Sequence, residues 1–565
     1  MTRSLARWPR LSALLASPRM VVLAAALGAL LCASSVPSGF ATEDYLFRAG
    51  AQLPFDWSRI NLFDARDVRY GVADARAHGT LPWLAADELS ISFWRPLTSL
   101  THHLDYRVFP HQPTLAHLHS LLWYALCVAA VGLGFRRVLP GSWLAGLATL
   151  LFSVDQAHGH AVGWLSNRHV LLGTAFGALS LMLHLVARAG DRRAKLAAPA
   201  CLGLALACSE SALGALGYLL AYAALLDRGP RRLLSLTPYA LVLAAWIAVF
   251  RGLGHGARAS ALYIDPAFSP LEFSSVLPER VGVLLLAQLG GPSAELWHVS
   301  SPLTRATLAA LGFAALGLCI AVASRRRTAL FFACGLVLSL VPQAATFPSD
   351  RSLWLSGIGG FGLVALVVER AVRVASPARM VAALLLTLHA VVSPLGLPGR
   401  SLAMARLHAD VERASDAAYG ALPERATVLV LVTAPDLYFC RLLRDLRYTR
   451  GLPARPLLCL TGTLGPLELE RVDPNALRVR VPAGYLDRPF NQLYRDRHHP
   501  LRVGDSLFTG TASVTVEATT PEGGPTVVLF RFLTPLEDER LAWMHFGESG
   551  PVRWTPPAVG VTRSE

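Results

Sequence analysis

Charge is scarce in this chain. Only 16% of its 565 residues are Asp, Glu, Lys or Arg, against about a quarter in soluble domains. Lysine is almost missing, with Lys195 alone among 52 basic residues. There is no internal repeat, no low-complexity tract, no HExxH or CxxC motif and no Walker-type glycine loop. The missing motifs remove the usual zinc and nucleotide signatures. The composition excludes disordered, collagen-like and disulfide-scaffold chains.

What is plentiful is apolar. Hydrophobic residues make up 53% of the sequence, and the mean hydropathy is +0.43. Globular cores cannot take in that much, so the reading is a polytopic α-helical membrane protein. The net charge of +14 falls in short clusters between apolar runs, where it orients membrane spans. No contiguous basic face with a recognition motif exists, so nucleic acid is not an expected partner.

Runs able to cross about 30 Å of hydrocarbon lie near 20–39, 115–135, 142–157, 169–187, 196–209, 211–226, 233–250, 304–323, 329–347, 352–369 and 379–397. The basic loops FRRVLPG, RAGDRRAK, DRGPRR, SRRRT and ERAVRVASPAR separate them, and Arg3, Arg7, Arg10 and Arg19 precede the first. About eleven spans with a cytoplasmic amino terminus put every cluster on one side. The first run lacks a convincing cleavage site and reads as an uncleaved anchor. The half-length run VGVLLLAQLG at 281–290 reads as re-entrant or interfacial, because a crossing there would put SRRRT outside.

The expected organisation has a cytoplasmic basic segment 1–19 and a transmembrane domain 20–397 with a long first external loop, 40–114. An amphipathic linker helix 398–424 and an extracytoplasmic domain 425–565 follow. In the tail, ATVLVLV, YFCRLLRDLRY and RPLLCL read as strand, helix and strand. ELERV, LRVRVP, SVTVEA and TVVLFRF follow as alternating strands. The tail is thus a soluble α+β or β-rich domain. Its Cys440 and Cys459 either pair or remain two buried thiols.

Polar groups gather at the span edges. FATEDYLF places Glu43 and Asp44 just after the first span. Such a pair either caps a helix or supplies a base with its partner. Arg95, beside Trp94 and Pro96, suits a phosphate or an interfacial anchor. FSVDQAHGHAVGWLSNRHVLL (152–172) packs Asp155, His158, His160, Trp164, Asn167 and Arg168 into fourteen residues. Such density is functional or mutually paired. Glu210 and the Asp350–Arg351 pair pose the same choice. Histidines two apart on a helix face away from each other, so His117/His119 and His158/His160 do not read as shared metal ligands. A metal held by Asp44, a histidine and a substrate phosphate stays open.

Taken in order, these motifs resemble the GT-C superfamily of multi-span glycosyltransferases. They are most like its O-mannosyltransferase-like members that carry tetratricopeptide repeats. Glu43–Asp44 resembles the family's acidic pair, and Trp94-Arg95-Pro96-Leu97 its aromatic-Arg-Pro-Leu motif. HLHSLLWY (117–124) resembles the family's histidine-rich entry to its second span. The stretch 152–172 keeps Phe152, His158, Ala161, Val162, Trp164, Arg168, Leu171 and Leu172 of its long pattern. Asp350-Arg351-Ser352-Leu353-Trp354-Leu355 resembles its late Glu-Arg motif. Asp155-Gln156 replaces a His-Pro, His160 a Glu and Ser209 a Lys; the repeats give way to another domain.

The resemblance implies an inverting sugar transfer from a polyprenyl-phosphate donor to an acceptor hydroxyl on a protein or glycan, at the external face. Asp44, with Glu43, is then the base. Arg95, Arg168 and Arg351 face the lipid phosphate, supported by His158, His160, Trp164 and Glu210. Membrane lipids are the remaining expected partners, and a divalent cation stays open as a cofactor. The setting is a bacterial inner membrane with the tail in the periplasm. Two other readings stand beside this one: a non-catalytic envelope scaffold, and a lipid or glycan transporter.

Overall fold

The computed structural model describes residues 9–54, 56–64, 71–374, 377–453, 455–547 and 550–565; Arg3 and Arg7 lie outside them. The chain divides into two compact units. The first takes in residues up to Asp64, Phe93–His255 and Ser269–Arg406. The second takes in the segment ending at Ser92, Gly256–Phe268 and Leu407–Glu565.

Among the described residues, seven helices are long and apolar enough to cross a membrane. They are Pro113–Val138, Leu165–Arg188, Leu234–Gly252, Pro302–Val322, Arg326–Ala345, Trp354–Arg373 and Ala378–Gly420. An eighth span arises if Pro9–Ala16 and Arg19–Ser35, bent by 87°, count as one. Pro18 sits at that bend, lacking an amide hydrogen and disfavouring helix in the residue before it. Each of the eleven expected runs contains helix. Two of them, however, form only the shorter apolar helices Trp143–Ser153 and Glu210–Leu225. The run 196–209 falls in Arg192–Cys208, whose first turn carries Arg192, Arg193 and Lys195 and lowers its hydropathy. The half-run at 281–290 continues a helix, Pro270–Gln288, that begins well before it.

Trp354–Arg373 is the hub, apolar up to its charged last turns and buried along nearly its whole length. Small residues let neighbours approach it and each other, the usual device of helices in lipid. At the crossing of Pro270–Gln288 with Pro302–Val322, a Cβ on Gly312 would sit 1.9 Å from the Gly282 carbonyl oxygen. We expect Gly312→Ala to lower stability by about 1–3 kcal/mol, the usual loss on overpacking. Thermal unfolding in detergent checks this, and an unchanged midpoint would refute the close crossing.

Two of the basic loops meet at one end of the hub. Glu369 accepts from Arg325 Nε and Nη2, both at 2.9 Å, and from Arg373 at 2.6 Å. The SRRRT loop and the ERAVR turn therefore share a side, as their common charge requires.

Among the described residues, the second unit carries twelve short strands. They are β1 (Ser90–Ser92), β2 (Gly256–Arg258), β3 (Val428–Leu431), β4 (Leu457–Cys459), β5 (Glu468–Asp473) and β6 (Ala476–Arg480), then β7 (Ser506–Phe508), β8 (Ala512–Thr519), β9 (Pro525–Phe532), β10 (Leu541–Gly547), β11 (Gly550–Arg553) and β12 (Thr562–Ser564). β3 and β4 run parallel, joined through the helix Leu437–Thr449. This is the strand–helix–strand opening that the sequence pattern implied. They form a sheet ordered β11-β10-β3-β4 beside a six-stranded antiparallel sheet ordered β12-β5-β6-β9-β8-β7. β1 and β2 pair antiparallel, so pieces of two loops join the tail's unit.

Candidate active site

The acidic pair opens the helix Asp44–Gln52, with Glu43 half-buried in front of it. Between it and the first span, Thr42 holds a positive φ of 51°, a conformation that costs a non-glycine residue energy and gathers at functional turns. Asp44 is 1% exposed. Its Oδ2 accepts from the Ala41 amide at 2.9 Å. Its Oδ1 accepts from the Ser166 amide at 2.8 Å and from the Ser166 hydroxyl. A carboxylate offers about four lone-pair positions, so Oδ2 keeps an acceptor position beyond these bonds. Burial pushes the carboxyl up to about 7 against those hydrogen bonds, and the neighbouring Glu43 charge adds to the rise.

An aromatic shelf flanks this group. His102 stacks on Tyr106 at 5.6 Å, and Tyr106 meets Phe40 edge to face. His102 also meets Phe47 and Phe63. Phe63 then reaches Arg95, whose guanidinium lies 4.8 Å from its ring and 4.5 Å from that of Phe93. Arg95 precedes Pro96, the first residue of the helix Pro96–Val108, where proline's fixed φ favours a helix start.

The remaining expected residues are placed as follows. Arg95 and Glu210 form a two-pronged ion pair, with Nε–Oε2 at 2.9 Å. Arg168 is fully buried and pairs with Asp105 at 2.6 Å. It also donates to the Ser120 hydroxyl and the Ala116 carbonyl, so its donors are largely engaged within the helix bundle. His158 stacks on Trp354 at 4.1 Å and meets Phe152 and Tyr124, an aromatic box. His160 stacks on Trp164 and lies 3.8 Å from Glu295. Arg351 covers the faces of Trp164 at 5.4 Å and Phe347 at 5.0 Å. Among the described residues, no carboxylate lies within ion-pair distance of it.

Sequence spacing hid several partners. Ser166 is 122 positions from Asp44, and Asp105 was masked by the histidines beside it. Arg400 falls in the segment 398–424, which the sequence marks only as an amphipathic linker helix. It binds Asp350 at 2.7 Å and comes within 3.8 Å of Glu295. Burial pushes Glu295 up, yet contacts from His160, Ser293 and Ser349 outweigh it and hold the carboxyl below its usual range. Burial and the Glu295 charge raise Asp350 in turn. Asp155, Gln156, Asp350, His389, Ser393 and Arg400 line a cavity of about 320 Å³. Among the described residues, no three His, Cys, Asp or Glu side chains converge as metal ligands.

Glu210 has a checkable role in holding Arg95. We expect Glu210→Ala to destabilise by about 1.5–3 kcal/mol, the worth of hydrogen bonds to a charged group. Adding Arg95→Met should recover part of that loss in a double-mutant cycle. Strictly additive effects on the unfolding midpoint would mean the pair does not couple.

No family model and no curated protein matches this chain. Among solved structures it is similar to the Archaeoglobus fulgidus oligosaccharyltransferase tethered with an acceptor peptide, at 13% identity and a TM-score of 0.40. That match covers 79% of this chain and 64% of the other, so the chain spans less than two thirds of the archaeal protein's length. It is also similar to ArnT from Cupriavidus metallidurans in the apo state, at 14% identity and a TM-score of 0.37, covering 79% and 86% of the two chains.

Proposed function

We propose that this protein is a membrane glycosyltransferase of the GT-C type. It would transfer a sugar from a polyprenyl-phosphate-linked donor to an acceptor hydroxyl on the extracytoplasmic face, with inversion. The observation that carries the reading is Asp44. This buried carboxyl accepts on Oδ2 from the Ala41 amide alone among the bonds described, and burial raises it to about 7, near where a general base works best. In this reading Asp44 takes the acceptor's proton while Glu43 orients the hydroxyl. Arg351 faces the leaving lipid phosphate: it is a half-buried cation over the rings of Trp164 and Phe347, with no carboxylate partner within ion-pair distance among the described residues. The amino terminus is cytoplasmic, the Leu407–Glu565 segment is extracytoplasmic, and the acceptor is a protein or glycan of the cell envelope.

One observation favours a second reading, a non-catalytic envelope scaffold. Arg95, Arg168 and Arg400 all have carboxylate partners within the chain, as a purely structural bundle would arrange them. A single experiment separates the two. Purified protein in lipid receives a panel of radiolabelled polyprenyl-phosphate sugars and a cell-envelope extract as acceptor. Label transfer by the wild type that vanishes in Asp44→Asn or Glu43→Gln supports the enzyme. No transfer from any donor, with both variants complementing a deletion as well as the wild type, leaves the scaffold.

A further inference from the structure

We infer that Cys440 and Cys459 form a disulfide inside the second unit. Cys440 lies on the helix Leu437–Thr449 and Cys459 ends β4, the strand this helix leads into. Their Sγ atoms are 2.7 Å apart although the residues stand 19 positions apart in sequence. The two thiols are unbonded in the structure, yet this is closer than non-bonded sulfurs pack and approaches the bond length of about 2.05 Å. Both side chains are buried, at 3% and 6% exposure. Among the described residues they belong to no group of three metal-binding side chains, and Cys459 also reaches the Thr461 carbonyl at 3.2 Å; the competing state is therefore two hydrogen-bonded thiols.

The reaction needs an oxidant, and a disulfide of a more oxidising protein dithiol is the class that fits. The thiolate of one cysteine attacks that disulfide and expels one of its sulfurs. The second cysteine then attacks the mixed disulfide. Two protons leave, and two electrons end on the oxidant's dithiol. Burial pushes the Cys440 thiol up, with the neighbouring Cys459 adding to the rise. A buried thiol of that kind attacks poorly, so the bond forms while the unit folds, before the helix closes over β4. Folding must therefore take place in an oxidising compartment. The bond thus reports on which side of the membrane the Leu407–Glu565 segment lies, whatever the protein catalyses.

The test uses the full chain in intact cells, quenched with acid, denatured in detergent and labelled with a maleimide-polyethylene glycol. Of the eight cysteines, six should take the label without reductant and all eight after reduction. Cys440→Ser should give seven in both conditions. Trypsin cuts at Arg441 and Arg444 between the two sulfurs, so non-reducing digestion of the wild type should yield one linked peptide pair joining 440 to 459. Eight labelled thiols without reductant would overturn the inference, and so would linked peptides that join any other cysteines. The wild-type digest decides the matter even if the serine variant fails to fold.

Discussion

Replacing Asp44 by Asn should lower sugar transfer by about 10²–10⁴-fold, the range over which a positioned base accelerates proton transfer, while leaving the chain folded. Asn keeps the shape of the side chain and an oxygen for the Ser166 amide and hydroxyl. Its amide nitrogen then faces the Ala41 amide, donor to donor, and one hydrogen bond worth about 1 kcal/mol is lost. Initial rates of label transfer and unfolding midpoints, taken on the same preparations, separate the two effects. A variant that keeps its midpoint and its rate would remove Asp44 from the chemistry. One that loses both in proportion would make it structural.

The pH dependence carries the same assignment further. A base acts only when deprotonated, and burial pushes this carboxyl up to about 7. Transfer should therefore rise with pH through about 7, falling to roughly 1% of its plateau two units below. Stability runs the other way. The folded carboxyl holds its proton up to about 7, whereas the unfolded one releases it near 4. The native state then binds more protons than the unfolded state between those values, so this group's contribution to stability declines as pH rises from about 4 to 7. Asp44→Asn should flatten both profiles in that window. Whatever transfer Glu43→Gln retains should follow a rate profile shifted slightly toward acid, because the substitution removes a like charge that helps raise Asp44.

The parts of the fold legible in the sequence were those with a local cause. Eighteen-residue apolar runs are helices because lipid leaves a backbone no other partner, and alternation in LRVRVP or SVTVEA marks strands with one buried face. Elements that depend on distant partners left no trace. Ser90–Ser92 pairs with Gly256–Arg258 over three residues each, too short for any period to show. The loop at 40–114 read as one piece, yet it contributes to both units. The site divides in the same way. Glu43 and Asp44 stood out because adjacent acids at a span edge are costly to place. Ser166, Asp105, Glu295 and Arg400 did not, because a single polar residue acquires its meaning only from what folding brings against it.

That distinction sets the clearest contrast among the arginines. Arg168→Met should destabilise the protein by about 3–5 kcal/mol, because it leaves Asp105 as a buried charge with its ion partner gone. His119, whose Nδ1 lies 2.7 Å from Asp105 Oδ1, leaves that carboxylate one hydrogen bond. Asp105→Asn together with Arg168→Met should recover much of the midpoint, since removing both charges also removes the unpaired one. Arg351→Met should behave in the opposite manner. It gives up two cation–π contacts worth about 0.5–1 kcal/mol each, yet transfer should fall by about 10²–10³-fold, the effect of losing one electrostatic donor to a developing negative charge. If Arg351 clamps the lipid phosphate, Arg351→Lys should restore part of the rate, because an ammonium still offers a point charge without the planar fork. Equal rates for Arg351→Met and the wild type would leave the leaving group without its cation. In that case Arg95, released from Glu210 by the substrate, is the next arginine to test.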